Sequence, residues 1–173
     1  MDSKEKIALS QYLLTRFDVY TGAVNNKVSF YLTINTFVLG GICLGYTVCK
    51  GYPKTATYDV LMVFTILLLL CCFGSIFFTI GSVAPYLTDN HVKDDRPSLI
   101  FFGGVARYQC PEFQQKFGAQ TDDAIANDFE RQVHSIACGL DRKFKQLKWA
   151  SNLLLLEYAL LIIVIFITFL ILK

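Results

Sequence analysis

The chain has 173 residues, 54% of them hydrophobic and only 17% charged, against about 25% charged in an ordinary soluble domain. At roughly 150 residues per domain this length allows one compact unit, and 15 Phe with a mean hydropathy of +0.44 exclude a disordered or fibrous chain. A formal charge of +2 excludes a broadly basic nucleic-acid binder, which leaves a small membrane protein.

Taken in chain order, residues 4–26 repeat apolar side chains as Ile7, Leu14, Phe17 and Val24, with Leu13 and Tyr20 beside them and a charged opposite face. That spacing predicts an N-terminal amphipathic helix over 1–27. A first span, Val28 to Cys49, follows almost without a break, since no proline precedes Pro53, and Lys27 and Lys50 bracket it. It begins after 27 residues and exceeds a signal-peptide h-region, so it reads as a retained helix. Lys-Gly-Tyr-Pro-Lys (50–54) is turn chemistry. A second span, Val60 to Leu87, lies between Asp59 and Asp89 and ends near Pro85, and Asp89 to Pro97 reads as a charged loop. Each span meets the requirement of about 20 apolar residues for a hydrocarbon core of about 30 Å.

Leu99-Ile100-Phe101-Phe102-Gly103-Gly104 is too short to span, and its double glycine is expected to break any regular element. Pro111 suits the first turn of a short helix through Phe117. Thr121 is placed to cap a further helix, with Asp122 and Asp123 at the positive end of its dipole. Apolar positions then run Ile125, Phe129, Val133, Ile136, Leu140, Phe144, Leu147, an eleven-residue repeat that fits a nearly straight helix. One helix from Asp122 through Leu172 is predicted, about 75 Å long at 1.5 Å per residue, with Gly139 its weak point. Such a rod would couple a cytoplasmic sensor mechanically to the membrane. The third span, Leu153 to Leu172, is apolar apart from Glu157 and sits between Lys148 and Lys173. The fold class is an all-α membrane protein with three transmembrane helices. Its segments are the amphipathic helix (1–27), a transmembrane hairpin (28–87), a cytoplasmic helical sensing region (88–148) continuous with the third span, and that span (149–173).

Three spans put the termini on opposite sides, and lysine and arginine decide the orientation. Residues 1–27 carry four and 85–148 carry nine, against two in 50–59 and one at the C-terminus. The N-terminus and central segment are therefore expected in the cytoplasm and the C-terminus in the periplasm, with Trp149 and Tyr86 at the inner interface and Tyr52 and Tyr58 near the outer one. The six cysteines include no C-x-x-C pair. His134 and Cys138 lie four apart and supply half of a metal site; a plain helix face is the better reading, because a site needs three or four ligands. No nucleophile elbow, zinc-protease, P-loop or dinucleotide fingerprint is present, so no catalytic residue is assigned and no cofactor is expected.

Three stretches carry a likeness. Asn-Asn-Lys-Val-Ser-Phe-Tyr-Leu-Thr-Ile-Asn (25–35) resembles an Asp-x-Lys-Ala-Ser-…-Ile-Asn signature, with Lys27, Ser29 and Asn35 in place. Ser-Leu-Ile-Phe-Phe-Gly-Gly-Val-Ala (98–106) looks like Ser-Leu-x-Phe-Phe-Gly-Asp-Ile-Ala, and Arg-Gln-Val-His-Ser-Ile-Ala…Arg-Lys-Phe-Lys-Gln-Leu (131–147) is similar to a Gln-Ile-x-…-Lys-Tyr-x-x-Leu helix. In this order around three spans they resemble the transmembrane effectors of Pycsar-type cyclic-nucleotide anti-phage systems. The resemblance implies a bacterial inner-membrane effector that a nucleotide second messenger switches, impairing the membrane of the infected cell. Asn25 and Gly104 stand where the family pattern has acids. If those acids set ligand specificity, the activator differs from a cyclic mononucleotide, and an oligonucleotide made by a partner nucleotidyltransferase stands beside a cyclic nucleotide made by a partner cyclase.

The residues offer a route to that function. Glu157 is nine residues past Lys148 and so about 13 Å deep by helical rise; Asn35 reaches nearly the same depth, and Ser75 enters that layer from the second span. A charge there costs at least about 2.5 kcal/mol on insertion scales and should face protein or water. Three helices are too few to enclose a water path, so a homo-oligomer, on size grounds a tetramer, would line a pore with Asn35, Ser75 and Glu157. Its carboxylate ring would favour permeating cations. The competing reading is a protonated Glu157 bonded to Asn35 within one subunit. Gly41 and Gly45, and Gly74 and Gly81, fit close helix packing.

For the nucleotide, the cations are Arg107, Lys116, Arg131 and Arg142, with backbone amides at Gly103 and Gly104 able to approach a phosphate. The cluster Arg142, Lys143, Lys145, Lys148 reads first as topology and headgroup contact, and Phe101-Phe102 as a hydrophobic plug. A small proton-coupled transporter using Glu157 is the alternative function. The more than 60 residues between the second and third spans favour a gated sensor over it, and a simple membrane anchor would leave Glu157 unexplained.

Overall fold

A computed structural model describes residues 1–51, 55–84 and 98–172. Among them the regular structure is helical: α1 (Ser3–Cys49), α2 (Ala56–Val83), α3 (Phe102–Val105), α4 (Cys110–Gly118) and α5 (Asp122–Leu172). Three of these, α1, α2 and α5, are long and apolar enough to cross a membrane. Tyr52, Pro53 and Lys54 of the first turn, Pro85 to Leu87 at the end of the second span, Tyr86 included, and the charged stretch Asp89 to Pro97 lie outside the described residues, as does Lys173.

Local chemistry sets the helix ends. Thr55 caps α2 in extended conformation and its hydroxyl accepts from the Tyr58 amide at 3.4 Å, with Asp59 in the first turn. Pro111 occupies the first turn of α4, where a missing N–H leaves nothing unpaired. The Thr121 hydroxyl accepts from the Ala124 amide at 3.3 Å at the start of α5, with Asp122 and Asp123 in its first turn. The long helix runs from Asp122 to Leu172 as the eleven-residue repeat predicts, passing through a buried Gly139.

The chain divides into two compact units. One takes Met1–Ala23 with Pro85–Arg142, of which 98–142 are described; the other takes Val24–Ala84 with Lys143–Lys173. Both α1 and α5 contribute to both units, because no proline or capping residue interrupts either helix.

The second unit is built from Val24–Cys49 of α1, α2, and the part of α5 after Arg142. Its apolar packing lies in three clusters: Val24, Val28 and Leu147; Val38, Leu68 and Leu160; and Cys49, Leu61 and Ile167. Large apolar side chains such as Phe37, Phe77, Ile162 and Phe169 point outward, the pattern of a surface solvated by lipid. Gly74 and Gly81 face α5: a Cβ at Gly74 would stand 3.2 Å from Leu153, and one at Gly81 would meet the Gln146 side chain. Gly41 and Gly45, by contrast, meet nothing in the chain.

In the first unit α3 corrects the expectation that the double glycine breaks regular structure. Gly103 and Gly104 lie inside one helical turn, closed by Gly104 and Val105 amides donating to the Phe101 carbonyl at 2.9 Å. Neither glycine has a positive φ. They serve close approach instead: a Cβ on buried Gly104 would collide with the Ser98 backbone, and one on Gly103 would stand 2.7 Å from the Phe101 ring.

Candidate functional site

The polar interior of the second unit forms on one face of α2. Leu61 and Leu68 are buried toward its start, and Cys72, Ser75, Thr79 and Ser82 toward its end, so the same face changes from apolar to polar along one helix. The Thr79 hydroxyl donates to the Ser75 carbonyl and the Ser82 hydroxyl to the Thr79 carbonyl, each at 2.7 Å. From α1, Asn35 is fully buried. Its amide donates to the Tyr31 carbonyl at 2.8 Å and to the Ser75 hydroxyl at 3.2 Å, and its carbonyl oxygen accepts from the Cys72 thiol at 3.2 Å. From α5, Glu157 enters the same interior with 1% of its surface exposed.

Glu157 and Asn35 are not bonded to each other, contrary to the competing reading of a pair within one subunit. Both Asn35 amide hydrogens are engaged, and an amide has only two. Neither carboxyl oxygen of Glu157 has a hydrogen-bond partner among the described residues, and the Gln146 side-chain carbonyl shares that condition. The Cys72 thiol is close enough to interact with the carboxyl, but its short contact is to Asn35. The three residues expected to line a pore thus sit together inside one chain: Asn35 and Ser75 are bonded, and Glu157 lies beside the Cys72 thiol that contacts Asn35.

The first unit holds a different polar centre, and local sequence patterns missed it. Asp128 of α5 accepts from the Ser98 hydroxyl and the Leu99 amide, both at 2.9 Å. The Ser98 oxygen accepts in turn from the amides of Ile100 and Phe101 at 3.1 and 2.9 Å, and from Gln132 at 3.3 Å. One serine thereby anchors the turn that leads into α3. The signal was present in the Ser-Leu-x-Phe-Phe-Gly likeness, but its partners lie 30 and 34 residues away.

Beside this centre is a groove of about 520 Å³ whose lining includes Tyr108, Lys116, Gln120, Asn127, Asp128 and Arg131. Lys116 pairs with Glu112 at 2.9 Å and lies 4.5 Å over the Tyr108 ring. The Glu112 carboxylate raises the Lys116 pKa above the usual lysine value. Two of the predicted nucleotide cations, Lys116 and Arg131, therefore meet in one place. Gly103, Arg107 and Arg142 do not line the groove. The Gly104 amide is engaged by Phe101 within its own helical turn, so it is not presented to a phosphate as expected. His134 and Cys138 are neighbours, with the thiol sulfur 3.8 Å from Nε2, and no group of three metal-ligating side chains occurs among the described residues.

At its N-terminal end α1 belongs to this unit. Lys6 pairs with Glu130 at 3.3 Å, and the Ser3 hydroxyl donates to Asp123. Both contacts join the start of α1 to the start of α5, and the half-buried Ile7, Leu14 and Phe17 lie on the predicted apolar stripe.

No curated protein and no solved structure matches the chain. A family model does: that of the Pycsar effector protein domain, over residues 9–170. That match takes in α2 to α4 whole and nearly all of α1 and α5, with both polar centres, and the chain belongs to the Pycsar effector protein domain family.

Proposed function

We propose that this membrane effector of anti-phage defence is a homo-oligomeric ion channel or pore, gated by a nucleotide second messenger and impairing the membrane of the infected cell. The family implies contact with the bilayer and a cyclic-nucleotide signal from a partner protein, and it is not a known enzyme family. In this reading the chain spans the bacterial inner membrane with its N-terminus and central segment in the cytoplasm, and four copies surround the path.

The observation that carries the channel reading is Glu157. A buried acid kept for structure alone is paired, because an unpaired polar group in an apolar interior costs about 1–3 kcal/mol and more when charged. Glu157 is buried on a membrane-spanning helix with both oxygens unpaired, and intramembrane acids of that kind mark ion pathways. Activation would part the packing of α1, α2 and α5 in the second unit, bringing Asn35, Ser75 and Glu157 to a shared water path. Lys116 and Arg131 would hold the nucleotide phosphate in the groove of the first unit, with Arg107, Arg142 and the Gly103 amide as further donors on that unit.

The test is electrical. Reconstituted protein should pass current on addition of its nucleotide, and Glu157→Gln should shift the reversal potential in a cation gradient. An unchanged reversal potential removes Glu157 from the path, and flux of a substrate coupled to pH without current would replace the channel by a transporter.

A further inference from the structure

In the interior of the second unit, the unmatched polar atoms among the described residues are all of one kind. Glu157 Oε1, Glu157 Oε2 and Gln146 Oε1 are buried acceptors without a donor. Of the surrounding donors, both Asn35 amide hydrogens are engaged by Tyr31 and Ser75, the Thr79 hydroxyl by Ser75 and the Ser82 hydroxyl by Thr79, while the Cys72 thiol, a weak donor, is shared between Asn35 and the Glu157 carboxyl. A native interior rarely leaves such groups unmatched unless something outside the chain satisfies them. A surplus of acceptors, one of them an acid, calls for a donor or a positive charge.

We propose that Glu157 holds a small monovalent cation in the resting chain, either a proton or an alkali ion in its place, and exchanges it with water from the Gln146 end of the unit. Gln146 and Glu157 are eleven residues apart on α5, close to three turns, so they share a face about 16 Å apart. On α2, Ser75, Thr79 and Ser82 supply hydroxyl groups along about 10 Å of the buried face. Beyond Glu157 the interior closes on Val38, Leu68 and Leu160, then on Cys49, Leu61 and Ile167. The cluster of Val24, Val28 and Leu147 packs at the Gln146 end, so the polar route to the acid from that end runs along the hydroxyl face of α2. The other titratable groups near the carboxyl are the thiols of Cys71 and Cys72 from α2; α1 contributes the neutral Asn35. No other acid or base occurs in 28–49, 60–84 or 149–172.

This goes beyond the channel reading, since it concerns the chain before any signal arrives, and it is tested without current. The full chain is placed in nanodiscs of phosphatidylethanolamine and phosphatidylglycerol, and infrared difference spectra are recorded against Glu157→Gln. The protonated-carboxyl band missing from the variant should disappear reversibly as pH rises if the guest is a proton. If it is an alkali ion, the band should instead disappear at fixed pH when sodium or potassium replaces N-methylglucamine. Gln146→Leu should slow either response severalfold while leaving its end point in place. A Glu157 signal that responds to neither pH nor salt overturns the proposal. Conduction by such a protein would keep the channel and lose the site.

Discussion

The two units solve the same problem, a polar group inside a helical protein, in opposite ways. In the first, Asp128 and Ser98 collect five hydrogen bonds around one turn, and the groups that meet there satisfy one another. In the second, a comparable set of side chains from three helices leaves an acid and an amide oxygen unmatched. A closed network fixes a conformation, because breaking any member strands the others. An open one is costly to keep, and its retention points to a guest or a working state. The contrast separates residues that close a network in the first unit from residues that leave one open in the second.

The largest effect that would sharpen this contrast is expected at Asp128. Asp128→Ala strands the Ser98 hydroxyl and the Leu99 amide together, and should destabilise the first unit by about 3 kcal/mol, since bonds to a charged group are worth about 1.5–3 kcal/mol each. Limited proteolysis should then cut near Ser98, and a resistant variant would show that the network is not structural. Gly104→Ala comes next. Its methyl must displace the Ser98 backbone, at about 1–3 kcal/mol for overpacking, with the same proteolytic signature.

In the second unit the sign should reverse. Glu157→Gln removes the carboxyl that needs a guest, so at high pH without sodium or potassium, where no guest is bound, thermal stability in detergent should rise by about 1 kcal/mol relative to the native chain, the scale of one unmatched buried polar group. A loss of stability would mean that the acid is structurally matched after all, and the comparison would fail. The smallest effect is expected at Gly45. Nothing meets a Cβ there, so Gly45→Ala should leave the single chain unchanged or stabilise it by up to about 1 kcal/mol through helix propensity. Loss of the assembled species on native gels with a stable monomer would assign that face to contact between copies.

Much of the fold was legible because hydropathy, proline and caps act locally. The spans, the turn at Pro111, the cap at Thr121 and the run from Asp122 to Leu172 all follow from residues a few positions apart. The double glycine misled for an equally physical reason: flexibility in sequence permits a break, but here the missing Cβ serves to seat Phe101 and Ser98 closely. The polar centres were only half legible. Depth along a helix placed Asn35, Ser75 and Glu157 in one layer, yet the choice of partner depends on rotation about three helix axes, which periodicity does not state. Asp128 escaped notice, and Gln132 entered only as part of the 131–147 likeness, because a surface-like Asp and Gln on a helix carry no mark of the turn they bind. Lys116 and Arg131 were picked out by charge, while Tyr108, whose ring lies under the Lys116 ammonium, had no local signal.

Trp149 stacks on Phe78 with ring centroids 6.3 Å apart, joining α5 to α2, and it is the single tryptophan of the chain. The indole is also 60% exposed on the outer surface of the single chain. The native protein therefore carries its own optical reporter at one helix seam: intrinsic emission needs no label and no background subtraction from a second indole. Lipids brominated at chosen acyl positions would quench it according to its depth, so the native chain reports the depth and lipid exposure of that seam without modification.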